Sequence, residues 1–549
     1  MPRESRSIPK YGGSEIEYGI SSPDSSQSPA DLAWQFVSRI RPEWLSGGSF
    51  SLWDSRPRLA DGEDHSHTYF TERSWRETNI LLANGARLYV DGAHPELSIA
   101  LCRTPKEKLA HYEAADRIIR FLTERHREAG TGFLLSKNNY GFALGRGETF
   151  LDVSPELLAD FSVSYAHHDN YLMRRVVPWG ALIERTIPWL VLRQIFNGQG
   201  KVGSHNRLVT GLPWCDFQIS QRADFFSELA GIGTMGLGET YPTLSKRPLM
   251  NTRDVPYADA ALYRRLHVIT ADQNMCETAY FLTIALTEIH LKMLEDEFLG
   301  GQFILTDPVR AFWKISRDLA FQEKISMRNR KESCLPLDLL EEYITLMGRY
   351  CAEYGIREPE YDEAVALGLD VVKKLRRNSG DCIGMLDWVT KRGVIEELMA
   401  RGKIDSFCSH KAISLDRSYG NIDPAKSIFF QKFVQEKHRE HRIISDADIA
   451  RAVSESPPTR SGFQVAVQRL FEPHVQGWHW AEIDVWVPEE NAYYEIDCSN
   501  PLMTEAEYAP LLLGADRHEF LRRALGAGIA KKCGSIYSVH RTPYPEYDE

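Results

Sequence analysis

The chain has 549 residues, of which 43% are hydrophobic and 11% aromatic, and it carries a formal net charge of -11. That length exceeds what one hydrophobic core usually supports, so a large domain with a smaller companion is expected, and the acidic balance argues against a nonspecific nucleic-acid binder. Nine cysteines with no CxxC pair exclude a disulfide framework and a zinc ribbon, and point to a reducing, cytoplasmic setting.

Residues 1–10 are charged and lack an apolar run, so they read as a loose tail and no secretory signal. In "GGSEIEYGI" strand alternation puts Glu15 and Glu17 on one face, about 6–7 Å apart, and Ile16 and Tyr18 on the other. Two carboxylates at that spacing suit a hard divalent cation, and a solvated outer strand face fits the same pattern equally well. The turn-rich "SSPDSSQSPAD" leads into a helix at "LAWQFVSRI", and residues 46–75 show neither helical nor strand period, as a long functional loop would. "NGARLYVDGAHPE" begins with a turn and then alternates: Ala86, Leu88 and Val90 share one face, and Arg87, Tyr89 and Asp91 the other, with His94 and Glu96 close behind.

"TPKEKLAHYEAADRIIRFLTERHREAG" has helical spacing, a Thr-Pro start and a terminal Gly, which together predict an amphipathic helix. "GFLLSKNNYGF" reads as a strand running into Asn138 and Asn139, and "PWGALIERTIPWLVLRQIFNGQG" as a helix interrupted at Pro188. Gly198–Gly203, "GQGKVG", fits GxGxxG but follows a helix instead of a strand, so it is set aside as a dinucleotide site, and "GTMGLGET" reads as a flexible loop. "TAYFLTIALTEIHLKMLEDEF" carries Glu288, His290 and Lys292, which fits a buried helix of a soluble protein and no membrane span. Helical pattern fills Leu337 to Arg401, and the prolines of "SESPPTRSG" mark a boundary. Beyond it come two alternating strands, "WAEIDVWV" and "AYYEIDC", and a closing helix in "DRHEFLRRALGAGIAKK". Strands and helices segregate more than they alternate, so the fold class is α+β, with a large domain over 11–453 and a small α+β domain over 454–549.

Other groups suit anionic ligands. Arg222, Arg253, Arg264, Arg265 and His267 are candidates to hold phosphate oxygens, with surface salt bridging as the plainer reading, and "SVSYAHHDNYLMRR" clusters His167, His168, Asp169 and Asn170.

Taken together, "GSEIEYGISSP", "NGARLYVDGAHPE", "KNN", "HHDNYLM", "FQISQRADF", "NTRDVPYADAALYRRLHV" and "DQNMCET" resemble, in order, motifs of the Pup ligase and deamidase-of-Pup (depupylase) family. The resemblance implies a glutamine-synthetase-like large domain, in which a curved antiparallel sheet cradles ATP and Mg2+, plus a small C-terminal domain. It implies Glu15, Glu17, Glu96 and His168 as metal ligands and Asp91 as the catalytic carboxylate. Arg87, Tyr89, Lys137, Asn138, Arg222, Arg253, Arg265 and His267 are the groups it places around the cofactor.

Two residues separate Asp91 from His94, which looks like the deamidase pattern, and residues 46–75 sit where that branch carries its active-site loop. The chain also departs from the family: "HDN" replaces "HEN", residues 140–162 look inserted, and no arginine follows shortly after "PPTR". The leading expectation is therefore an ATP/Mg-binding amidohydrolase. Its substrate would be a C-terminal glutamine amide, or an isopeptide bond, of a Pup-like modifier or peptide, with modified target proteins as further partners and no nucleic acid or membrane. The alternatives are an ATP-dependent carboxylate-amine ligase acting through an acyl phosphate, and a noncatalytic nucleotide-binding module.

Overall fold

The computed structural model describes the chain except residues 1–2, 24–26, 42–43, 45–51, 54–78, 92, 138–139, 143–161, 165–166, 205–209, 233–246, 435–440, 473 and 535–549. Most of the expected 46–75 loop, the middle of the 140–162 insertion, Asn138 and "GTMGLGET" therefore lie outside the described residues. The ends of the insertion, Tyr140–Phe142 and Ser162–Ser164, pair as an antiparallel ribbon.

The organising element is a seven-stranded antiparallel sheet built from β1 (Gly12–Glu17), β2 (Leu52–Trp53), β3 (Asn79–Leu82), β4 (Arg87–Asp91), β5 (His94–Ser98), β6 (His167–Arg174) and β7 (Tyr263–Ala271), in the order β7-β6-β1-β5-β4-β3-β2. Alternation gives it two unlike faces. Ile16, Leu88, Val90, Leu97, Tyr171, Met173, Leu266 and Val268 belong to the main core. Below them lie helices α2 (Pro105–Glu128), α3 (Trp179–Asn197), α4 (Glu277–Glu295), α5 (Pro336–Tyr354), α6 (Pro359–Arg377) and α7 (Asp387–Ala400), while α1 (Pro29–Ser38) packs beside β4 and β5.

Local sequence explains the helix ends. Thr104 caps α2 by accepting from the Glu107 amide, Pro105 opens it, and Arg125, His126 and Arg127 sit in the last turn where the helix dipole favours cations. α5 stops at Gly355, whose φ of 63° is accessible to glycine at little cost. Contrary to the expected interruption, α3 runs unbroken through Pro188. Proline removes one amide donor, but every residue from Thr186 to Asn197 is buried, so packing holds the helix together.

The expected loose tail is also corrected. Residues 3–10 form no regular element, yet the Ser5 hydroxyl donates to Asp296 (2.6 Å), the Ile8 amide to Glu295 (3.0 Å), and Lys10 forms a fully buried ion pair with Glu295 at 2.6 Å. A second buried pair, Lys108–Glu288 at 2.6 Å, ties α2 to α4, and Lys108 also donates to the Lys10 carbonyl. Glu288 and His290 thus mark buried contacts of α4, as expected, and among the described residues no helix is long and apolar enough to cross a membrane.

Beyond Pro457–Pro458 a second core gathers Phe463 and Phe471 of α8 (Arg460–Phe471), Trp478, Ile483, Val485 and Ile496 of a four-stranded sheet, and Phe520 of α9 (Arg517–Gly526). The sheet order is β8 (Val475–His479), β9 (Glu482–Val487), β10 (Ala492–Asp497) and β11 (Ala530–Gly534). The closing helix is shorter than the sequence suggested: it ends at Gly526, Gly528 turns the chain at φ 71°, and "AKKCG" becomes an edge strand. Leu81 of the large sheet belongs to this second core, so the C-terminal unit is seated against the sheet.

Candidate active site

Register decides which side chains meet on the outer face. Glu15 lies opposite His168 and Ser98, Glu17 opposite Glu96, Tyr89 opposite Glu96, Asp91 opposite His94, Asn170 opposite His267, and Leu172 opposite Arg265. Residues directly opposed in an antiparallel ladder project to the same side. The two carboxylates of "SEIE" and the Arg87–Tyr89–Asp91 row therefore share one surface, with Ile16 and Leu88 on the reverse, as the alternation predicts.

Two clusters of possible ligand atoms form on this face, each with all atoms within 4.8 Å of one another: Glu17 with Asp91 and Glu96, and Glu15 with His168 and His267. Their electrostatics differ. Glu15 Oε2 meets His168 Nδ1 at 3.2 Å and His267 Nε2 at 3.1 Å, and its Oε1 accepts from Asn170 (3.0 Å) and Arg265 (3.3 Å). Burial opposes ionisation of Glu15, but His267, His168 and Arg265 together hold its carboxyl well below the usual range. Burial pushes the His267 imidazole down, with Glu15 pulling the other way.

Glu96 is the reverse case. It is 1% exposed; Tyr89 donates its hydroxyl to Oε1, and Oε2 has no hydrogen-bond partner among the described residues. Burial first, and then the charges of Asp91, Glu15 and Glu17, push its carboxyl well above the ordinary range. An all-oxygen donor set with an orphaned buried carboxylate oxygen fits a hard divalent cation. The Glu15 cluster, with two imidazoles and a carboxylate already hydrogen-bonded, fits one less well. The ligand set expected from sequence, Glu15, Glu17, Glu96 and His168, is thus divided between two clusters, and Asp91 and His267 join one each.

The cofactor candidates separate as well. Tyr89, with Arg87 stacked 4.5 Å from its ring centroid, and Arg265 and His267 lie on the face. Arg253 lies in the segment entering β7, its amide bonded to Asn251 at 2.8 Å. Lys137 and Arg222 turn inward. The Lys137 ammonium pairs with Asp116 at 2.7 Å and donates to the Asn274 carbonyl, and Arg222 donates to the carbonyls of Ser164 (3.0 Å) and Ile269 (2.9 Å). Interior acceptors already engage both cations. Asp169 also faces inward, in a buried two-pronged pair with Arg193 at 2.7 and 3.1 Å.

Beside Glu15 the face opens into a cleft of about 620 Å³, open solvent included, floored by Gly12, Gly13, Asn170 and Leu172 and walled by Tyr257, Arg265 and, from the C-terminal unit, Arg460, Trp480 and Pro501. The floor needs glycine: a Cβ on Gly12 would lie 1.9 Å from the Asn170 carbonyl oxygen. Sequence reasoning missed Arg460 and Trp480: "PPTR" was read as a boundary and as a landmark for a further arginine, not as supplying a cleft residue itself. It also missed Gln273, whose amide donates to the Glu17 carbonyl and braces that strand from below.

The family model described as Pup-ligase protein matches residues 10–484. A Pup–protein ligase of Acidimicrobium ferrooxidans is 33% identical over 471 residues, 83% of this chain and 94% of that protein. A depupylase of Acidothermus cellulolyticus is 29% identical over 520 residues, 91% of this chain and 96% of that one. Among solved structures, the complex of the prokaryotic ubiquitin-like protein Pup with its ligase PafA matches with a TM-score of 0.71 at 23% identity, covering 95% of this chain and 93% of the other. The ligase PafA in complex with ADP matches with a TM-score of 0.64 at 26% identity, covering 79% and 89%. The fold is accordingly the glutamine-synthetase-like one, a curved antiparallel sheet with helices on its back, and the chain belongs to the Pup-ligase family.

Proposed function

We propose that this protein is an ATP-dependent carboxylate-amine ligase that joins the C-terminal glutamate side chain of a Pup-type modifier to an amine of a target protein. The observation that carries the reading is the acidic cluster of Glu17, Asp91 and Glu96, close to the cleft beside Glu15, in a chain whose relatives include Pup ligases and whose fold matches a ligase structure in complex with ADP. Glu17 and Glu96 would hold a divalent cation, which when bound stabilises charge on phosphate oxygens. The cleft beside Glu15 takes the nucleoside, and Arg265 orients Glu15 through their shared contact with Asn170.

In this reaction the modifier carboxylate takes the γ-phosphoryl group, ADP leaves, and the amine nitrogen replaces phosphate at the acyl carbon. Asp91, at the end of β4 and within reach of Glu17 and Glu96, receives the proton the amine loses.

The hydrolytic reading, which the sequence placed first, takes second place because the relatives favour ligation. One observation keeps it: β4 and β5 are joined by only residues 92–93, so Asp91 pairs directly with His94, the short spacing that suggested the deamidase branch. Incubation with ATP, Mg2+, a Glu-ended Pup-type modifier and an amine acceptor separates the two. Ligation releases one ADP per isopeptide bond and needs both carboxylate and amine. Conversion of a Gln-ended modifier to the acid without matching ATP turnover would instead establish the hydrolase.

A further inference from the structure

Of the residues by which the C-terminal unit walls the cleft, one arginine has an unusual setting. Arg460, the first residue of α8, is 6% exposed; it donates from Nη1 to the carbonyl of Tyr257, and its Nε has no hydrogen-bond partner among the described residues. No carboxylate pairs with it among the described residues, and a buried cation without a counter-ion is costly. Burial, with Arg265 acting in the same direction, brings its guanidinium down to about 10.

Tyr257, whose carbonyl Arg460 holds, is one of the few non-glycine residues at positive φ, 47°, among the described residues, a strained conformation that persists only where the surroundings impose it. Its ring lies under Arg265, 5.1 Å from ring centroid to guanidinium. Arg265 in turn holds Glu15 and Asn170. Tyr257 is thus pinned by a cation from each unit, and all three residues line the same cleft.

We propose that Arg460, Tyr257 and Arg265 form a latch by which an anionic, phosphate-bearing ligand in the cleft locks the C-terminal unit onto the sheet. Arg460 lines the cleft as a buried cation with no carboxylate partner among the described residues. An anion entering the cleft supplies that counter-charge and so favours the position in which Arg460 holds the Tyr257 carbonyl and Tyr257 stands as a wall. Linkage is reciprocal: whatever loosens the C-terminal unit weakens the ligand by the same factor. The inference rests on the proposed nucleotide-binding role of the cleft and adds to it a coupling between occupancy and docking.

The test is hydrogen exchange of the intact protein over 460–471 and 475–497, with and without ADP, alongside ADP affinity by calorimetry. Wild type is expected to bind ADP and to gain protection in both segments. Arg460→Met replaces the buried cation with an apolar group of similar length, and Tyr257→Gly fits the positive φ, so both should melt at or above the wild-type temperature. Each should bind ADP about 10-fold more weakly, a typical coupling strength, and lose the ADP-dependent protection. Wild-type affinity and protection in a folded Arg460→Met protein would overturn the latch while leaving the nucleotide site standing. Failure of the wild type to bind ADP would remove both the latch and the functional reading beneath it.

Discussion

The two clusters on the sheet face use the same residue type to opposite ends. Glu15 arrives already compensated, by two imidazoles, an arginine and an amide, and its carboxyl is held in the ionised form. Glu96, on the adjacent strand β5 of the same face, is surrounded by other acids, keeps one oxygen without a partner among the described residues and is pushed toward the protonated form. The difference carries the proposal of where a cation would bind: the Glu15 carboxylate is already hydrogen-bonded on both oxygens, whereas Glu96 offers a buried oxygen without a partner among the described residues.

The largest effect expected from breaking this contrast falls on Asp91. Asp91→Asn removes the proposed proton acceptor but leaves the cleft, so turnover should drop by about 10²- to 10⁴-fold with ADP affinity unchanged, read by single-turnover kinetics and calorimetry. Next is Glu15→Ala, which strands His168, His267 and Arg265 around an empty centre. With Glu15 16% exposed at the side chain, a loss of about 2 kcal/mol is expected in chemical denaturation, below the range for a wholly buried pair. Glu96→Gln should do the opposite, raising the melting temperature of the cation-free protein by removing like-charge repulsion, and abolishing any rise on adding Mg2+.

A smaller effect comes from pH. The raised Glu96 carboxyl gives stability that is fully present below the unfolded value of about 4.3 and is lost as pH rises through the folded value, since ionisation is then forced in a crowded site. Glu15, depressed in the folded state, acts in the other direction: its contribution is present above about 4.3 and is lost as pH falls through its folded value. Cation-free melting curves from pH 4 to pH 8 should therefore separate wild type from Glu96→Gln increasingly toward high pH. A constant separation across that range would show that Glu96 is not the titrating group.

Much of this architecture was legible in the sequence. The alternation of "SEIE" and "RLYVD" placed Glu15, Glu17, Tyr89 and Asp91 on one face correctly, because period-2 patterning is local and the reverse face must be apolar to bury. Capping and spacing likewise gave α2, and the charged residues of α4 were read as buried. What local pattern does not carry is partner choice across long separations. Lys137 and Arg222 carry the same charge as Arg265, and only the fold reveals that Asp116 and two interior carbonyls claim them first. Residues 3–10 looked free because the carboxylates that pin them, Glu295 and Asp296, lie almost 300 positions away in the chain. Arg460 was hidden for a similar reason: a proline pair marks a boundary, but not that the next arginine reaches back across it.

The central claim is that the acidic trio, and not the histidine-compensated one, is the cation site. Calorimetric titration of Mg2+ into nucleotide-free wild type, Glu96→Gln and Glu15→Gln, repeated in buffers of different ionisation enthalpy, tests it most directly. The account predicts binding by wild type with proton release, because a carboxyl held protonated must ionise to ligate. It also predicts that binding is lost in Glu96→Gln and retained in Glu15→Gln. Binding that survives Glu96→Gln and vanishes with Glu15→Gln would contradict it.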